Sequence, residues 1–100
     1  LVTYCFDLDE TLFRTIGTDY SNSTPIKSRM AIVRKLAEEG HTIKLYTARG
    51  TETGIDWRKI TVQQLRDNDI PYVELSFGKP SADIYVDDKA VSDLDFFRDK

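Results

Sequence analysis

The chain has 100 residues, 40% of them apolar and 31% charged, with a net charge of −3. A single domain of this length removes roughly 65% of its unfolded surface from water, enough for a real core. It has no basic cluster for a nucleic-acid backbone, no apolar run near the ~20 residues of a bilayer span, and a lone Cys5 that excludes an internal disulfide. The expectation is one domain over residues 1–100, cytoplasmic, with neither a nucleic-acid nor a membrane partner.

Leu1 to Phe6 (LVTYCF) is a short apolar, β-rich run and predicts a buried strand, with Cys5 as a buried structural thiol and Tyr4 in the core. Residues 7–24 predict a loop. Thr24 as N-cap and Pro25 as first helical residue start a helix whose stripe is Ile26, Met30, Val33 and Ala37, closed by Gly40. His41 to Tyr46 predicts a second strand, with His41 structural. A loop over 47–55 leads to a helix from Asp56 to Asn68, with Trp57, Ile60 and Leu65 facing inward. Tyr72 to Leu75 and Ile84 to Val86 predict a third and a fourth strand, Tyr85 being core. Ser92-Asp93-Leu94-Asp95 predicts a short final helix by its capping pattern.

Apolar strands alternating with helices predict an α/β fold with a parallel sheet. Chemistry-bearing residues follow the strands: Asp7 and Asp9 after the first, Thr47 after the second, Lys79 after the third, and Asp87-Asp88 after the fourth. In open α/β sheets ligands bind beyond the carboxyl ends of the strands, where strand order reverses. For Asp7 to share a metal with Asp87, the fourth strand must flank the first. For Thr47 to reach the same phosphate, the second must flank it on the other side. The expected order is therefore 3-2-1-4, in a three-layer Rossmann-like arrangement.

Mg²⁺ takes a few carboxylates together with phosphate oxygens and water. Asp7 and Asp87 suit that role, with Asp88 close by. A lysine such as Lys79 screens an anionic nucleophile from an anionic substrate. Carboxylates, a hydroxyl and a cation in this order are what metal-assisted phosphoryl transfer to a carboxylate needs. Thr11, Ala48 and Arg49 are read as substrate contacts, Arg49 through a second anionic group. Tyr20 and Trp57 are candidates for a specificity pocket.

With these residues in view, nearly the whole chain resembles the haloacid dehalogenase superfamily of phosphohydrolases. Asp7-Leu8-Asp9-Glu10-Thr11 looks like its first motif, Thr47 its second, Lys79 its third and Asp87-Asp88 its fourth. The resemblance implies Asp7 as the nucleophile forming an aspartyl-phosphate. It implies Asp9 as the proton donor to the leaving group and then the base for water, its backbone carbonyl also ligating Mg²⁺. Thr47 and Lys79 would hold phosphoryl oxygens, and Asp87 and Asp88 would complete the metal site. An acid at position 9 marks the phosphatases of that superfamily rather than its dehalogenases.

Glu10 stands where a glycine is commonest. The loops over 12–24 and 50–55 leave no room for a cap domain. The chain is most similar to capless members associated with capsule and sugar-phosphate metabolism, which share a TARG-like second motif and the GKP-x-AD-x-Y-x-DD-K pattern of Gly78 to Lys89. The implied activity is Mg²⁺-dependent hydrolysis of a small phosphorylated substrate such as a sugar phosphate. The alternatives are a phosphoprotein phosphatase with an open site and a non-catalytic phosphate-binding module. Capless relatives often self-associate, so a homo-oligomer belongs to the same expectation.

Overall fold

β1 (Thr3–Asp7), β4 (Thr42–Thr47) and β5 (Glu74–Phe77) form a parallel sheet in the computed structural model, which describes residues 1–98. Its order, β1-β4-β5, is that expected for the first three predicted strands. Between β1 and β4 come a small hairpin of β2 (Phe13–Arg14) and β3 (Thr24–Pro25), a 3₁₀ turn at Tyr20–Asn22, and helix α1 (Lys27–Glu38). Helix α2 (Arg58–Asp67) connects β4 to β5, and α3 (Asp93–Phe97) ends the described chain. No helix among the described residues is long and apolar enough to cross a membrane.

Alternation along the strands decides which face is buried. Parallel partners share a face, so the register Tyr4↔Ile43 and Phe6↔Leu45 puts these four residues on one side, with Leu75 opposite Leu45. That side meets Met30 and Val33 of α1, Leu65 of α2 and Phe97 of α3 in one apolar cluster. Burying side chains of this size contributes roughly 1.5–3 kcal/mol each. Cys5, Lys44 and Glu74 lie on the other side, which carries a loose Lys44–Glu74 ion pair at 3.8 Å.

A sheet that grows in one direction, with right-handed crossovers, receives its helices on a single face. The described residues therefore form two layers rather than three. Cys5 is exposed, contrary to the buried thiol expected. Tyr4 does pack inward, its ring 5.9 Å from Phe6 and 5.7 Å from Phe96. Arg29 ties α1 to α3 through Asp93 at 2.7 Å, with its guanidinium over the Phe97 ring.

One boundary and one buried face differ from expectation. Thr24 and Pro25 do not start α1. They pair with Arg14 and Phe13 across the hairpin, and the Ile26 N–H donates to the Leu12 carbonyl, so the helix begins at Lys27. In α2 the inward pair is Thr61 and Leu65, while Ile60 is half-buried. The capping pattern at Ser92 holds, its hydroxyl accepting from the Asp95 N–H. His41 is structural, its Nδ1 accepting from the Val2 N–H at 3.0 Å.

The expected fourth strand is the main correction. Ile84 to Val86 forms no strand, and Ile84 and Val86 are 78% and 94% exposed. Tyr85 is not core. Its ring lies under the Lys79 ammonium at 4.3 Å, and its hydroxyl donates to the Pro80 carbonyl. The tract thus folds back on its own loop. Among the described residues β1 pairs with β4 alone, and the order stops at three strands.

Candidate functional site

The carboxyl ends of β1 and β4 and the loop after β5 converge on a cleft of about 190 Å³. It is lined by Asp7, Asp9, Thr15, Ala48, Arg49 and Lys79 among others. Asp7 is the last residue of β1, and its carboxylate lies 3.5 Å from Lys79 Nζ, the two side chains being 33% and 19% exposed. Burial pushes the Asp7 carboxyl above the ordinary carboxylate range, and Lys79 opposes that only in part. Lys79 is placed by its backbone, which donates to the Thr47 carbonyl at 3.1 Å and accepts from the Thr51 hydroxyl at 3.0 Å.

The turn after β1 is built on the Leu8 carbonyl, which accepts from the backbone N–H groups of Thr11, Leu12 and Phe13. Glu10 takes a left-handed conformation there (φ 65°). That backbone suits glycine better than a residue with a Cβ. Here the Glu10 carboxylate offsets the strain, accepting from the Thr15 N–H at 2.9 Å and from Arg14 at 3.1 Å. The same two contacts lower its pKa.

Asp9 points at Arg49. Its Oδ2 accepts from Arg49 Nε at 2.9 Å, and its Oδ1 from Arg49 Nη2 at 2.8 Å and the Thr15 hydroxyl at 2.6 Å. The Arg49 side chain is 0% exposed and that of Asp9 22%. The remaining Arg49 donors go to Ser23 Oγ (3.3 Å), Thr61 Oγ1 (3.0 Å) and Gln64 Oε1 (2.6 Å). Gln64 in turn donates to the Tyr20 carbonyl at 2.6 Å, and the guanidinium lies 5.0 Å from the Tyr20 ring centroid. All five guanidinium N–H groups are thus used inside the protein. The substrate contact expected of Arg49 is replaced by an internal one.

That role was not legible from a loop arginine alone. The available signal was the pair Thr61 and Gln64, polar residues three apart on a helix whose neighbouring Leu65 is buried.

Thr47 is fully buried, its Oγ1 accepting from the Arg49 N–H at 3.1 Å. Thr11 lines a neighbouring cleft of about 270 Å³, which shares Asp7 and Lys79 with the first. Trp57 packs edge-on to Tyr20 at 5.1 Å. The two line a smaller cleft of about 100 Å³ with Ala48, and Tyr20 and Ala48 also line the site.

Asp87 and Asp88 line neither of the clefts that Asp7 lines. Both are exposed, and the Asp87 carboxylate caps the Lys89 N–H at 2.8 Å, a contact that lowers its pKa. No group of three His, Cys, Asp or Glu that could hold a metal occurs among the described residues.

The loop that delivers Arg49 has little latitude. Gly50 has φ 80°, and a Cβ there would collide with the Ile55 carbonyl oxygen. Gly50→Ala is expected to destabilise the fold by about 2 kcal/mol or more. That corresponds to a fall of roughly 8–16 °C in thermal melting of a domain this size. An unchanged Tm would mean that the loop relaxes freely.

No family model matches the chain, and no curated protein matches it. A crystal structure of a structural-genomics target from Vibrio cholerae is similar to it, with 29% identity and a TM-score of 0.86, over 97% of this chain and 88% of that one. The α/β architecture is shared over nearly the full length of both.

Proposed function

We propose that this chain is a Mg²⁺-dependent phosphomonoester hydrolase of the haloacid dehalogenase type, acting through an aspartyl-phosphate on a small metabolite such as a sugar phosphate. The observation that carries the reading is one cleft lined by Asp7, Asp9 and Lys79, with the lysine ammonium 3.5 Å from the Asp7 carboxylate. A strand-end carboxylate beside a fixed cation, with a second carboxylate two residues on, is the equipment for a carboxylate nucleophile.

In this reading an Asp7 oxygen attacks phosphorus, and the bond to the leaving oxygen breaks as Asp9 supplies a proton to it. Water then attacks the phosphoryl group and gives a proton to Asp9. The bond to Asp7 breaks, and inorganic phosphate leaves. Lys79 neutralises the phosphoryl oxygens throughout. Thr47 contributes through the loop it anchors.

As arranged, the described residues do not make a Mg²⁺ site. Asp7 is one carboxylate, the Asp9 side chain is taken up by Arg49 and Thr15 so that only its backbone carbonyl is on offer, and Asp87 and Asp88 lie on an exposed loop. No step is therefore assigned to the ion. The proposal includes pairing of Ile84–Val86 with the free edge of β1, which completes the 3-2-1-4 order and carries Asp87 toward Asp7. Three hard carboxylates would then meet the coordination preference of Mg²⁺. A cytoplasmic location and self-association over the uncapped mouth belong to the same reading.

The test is phosphate release from sugar phosphates, nucleotides, p-nitrophenyl phosphate and phosphopeptides, with and without Mg²⁺. Metal-dependent release, best with sugar phosphates, is the expected result. A preference for phosphopeptides would move the substrate to proteins, and no release from any ester would overturn the reading. Hydrogen exchange adds a second measure: the amides of residues 84–86 are expected to slow when Mg²⁺ and beryllium fluoride are added.

A further inference from the structure

We infer that Arg49 is the positioning residue for Asp9, and that Asp9 Oδ2 is the atom that carries the transferred proton. The inference rests on the reading proposed above, in which Asp9 serves the leaving group.

Arg49 grips Asp9 with a fork, Nε to Oδ2 and Nη2 to Oδ1. A planar guanidinium holds both oxygens of a carboxylate and so fixes its plane as well as its place. The fork is itself held. Nη1 is bound to Thr61 and Gln64 of α2, and the Arg49 backbone N–H is bound to Thr47 Oγ1 at the end of β4. The rings of Phe13 and Tyr20 lie 5.5 and 5.0 Å from the guanidinium carbon. Asp9 is therefore oriented by β4 and α2, not by its own loop alone. Proton transfer demands this, because small misplacements of a catalytic group cost large factors in rate.

The two Asp9 oxygens differ. Oδ1 accepts from both Arg49 and Thr15, so its in-plane lone pairs are used. Oδ2 accepts from Arg49 alone and keeps one free. Only Oδ2 can exchange a proton with a substrate oxygen in the cleft without breaking a contact.

A substrate-binding arginine and a positioning arginine predict different kinetics. Expulsion of an alkoxide needs the Asp9 proton, while p-nitrophenolate leaves readily without it. The ratio kcat/KM covers events up to departure of the leaving group. Arg49→Lys keeps the charge but cannot hold both oxygens. The expected result is a fall of about 100-fold in kcat/KM for glycerol phosphate and under about fivefold for p-nitrophenyl phosphate. Gln64→Leu removes one support and leaves the fork, so the same selectivity is expected at smaller size. It also supplies the reading should Arg49→Lys fail to fold.

Equal falls for both esters in both variants would overturn the inference and leave the hydrolase reading standing. So would a rise in KM with kcat unchanged. A wild-type chain that releases phosphate from neither ester would overturn the hydrolase reading, and the inference with it.

Discussion

Asp7→Asn is expected to abolish phosphomonoester hydrolysis, by about 10⁴-fold or more, while raising the melting temperature at neutral pH. The first effect follows from removal of the attacking oxygen, since loss of a covalent nucleophile removes nearly all the catalysis of the step it initiates. The second follows from burial. The Asp7 carboxyl is held above its ordinary value of 3.8, desolvation outweighing the attraction of Lys79. The folded chain therefore takes up the Asp7 proton at higher pH than the unfolded chain does. Stability contributed by this group falls as pH rises from 3.8 through the raised value, and the full penalty applies above it. Asparagine removes the penalty. The Tm curves of wild type and variant are expected to separate with rising pH and to converge below about pH 3.8. A variant less stable than wild type at pH 7 would mean that the Lys79 pair outweighs the burial. Full activity in the variant would exclude Asp7 as nucleophile.

Asp9→Ala is expected to act in the opposite direction on stability, although it lies two residues away. It leaves Arg49 charged, 0% exposed and without its carboxylate. Breaking a buried pair from one side costs about 3 kcal/mol, because the desolvated charge remains. For a domain of this size that is a fall of roughly 12–24 °C in Tm. Asp9→Asn retains an acceptor for the fork and is expected to lose less. The double variant Asp9→Ala/Arg49→Met removes the stranded charge and is expected to recover part of the loss, which a thermal double-mutant cycle measures. Additive losses would show that the pair is not coupled. Two aspartates of one short motif would thus be distinguished by melting alone, one strained by burial and the other embedded in an ion pair.

Much of this was present in the sequence because it is local. The runs Leu1–Phe6, His41–Tyr46 and Tyr72–Leu75 carry their strand signal in their own residues, although the third overlaps the observed Glu74–Phe77 by only two residues, and three strands with two crossover helices leave the sheet order little freedom. The placement of Asp7 and Thr47 at strand ends, and of Lys79 just past one, is likewise a matter of position in the chain, so their convergence at one end of the sheet follows. The cap at Ser92 is a four-residue pattern and held for the same reason.

What the tertiary structure decided concerns partners far apart in the chain. Nothing near Arg49 says that it will be buried, and its meaning comes from Asp9, forty residues before it, and from Thr61 and Gln64 on α2. Thr24-Pro25 carries a helix-start signal, yet the hairpin partner at Phe13–Arg14 claims it as a strand. Ile84 to Val86 has strand composition, but a three-residue run has no pairing energy of its own. Whether it joins β1 depends on competition with the local contacts of Tyr85 to Lys79 and Pro80. Local pattern names an element, but which neighbour satisfies its polar groups is settled only when the chain is folded, because that energy comes from the partner.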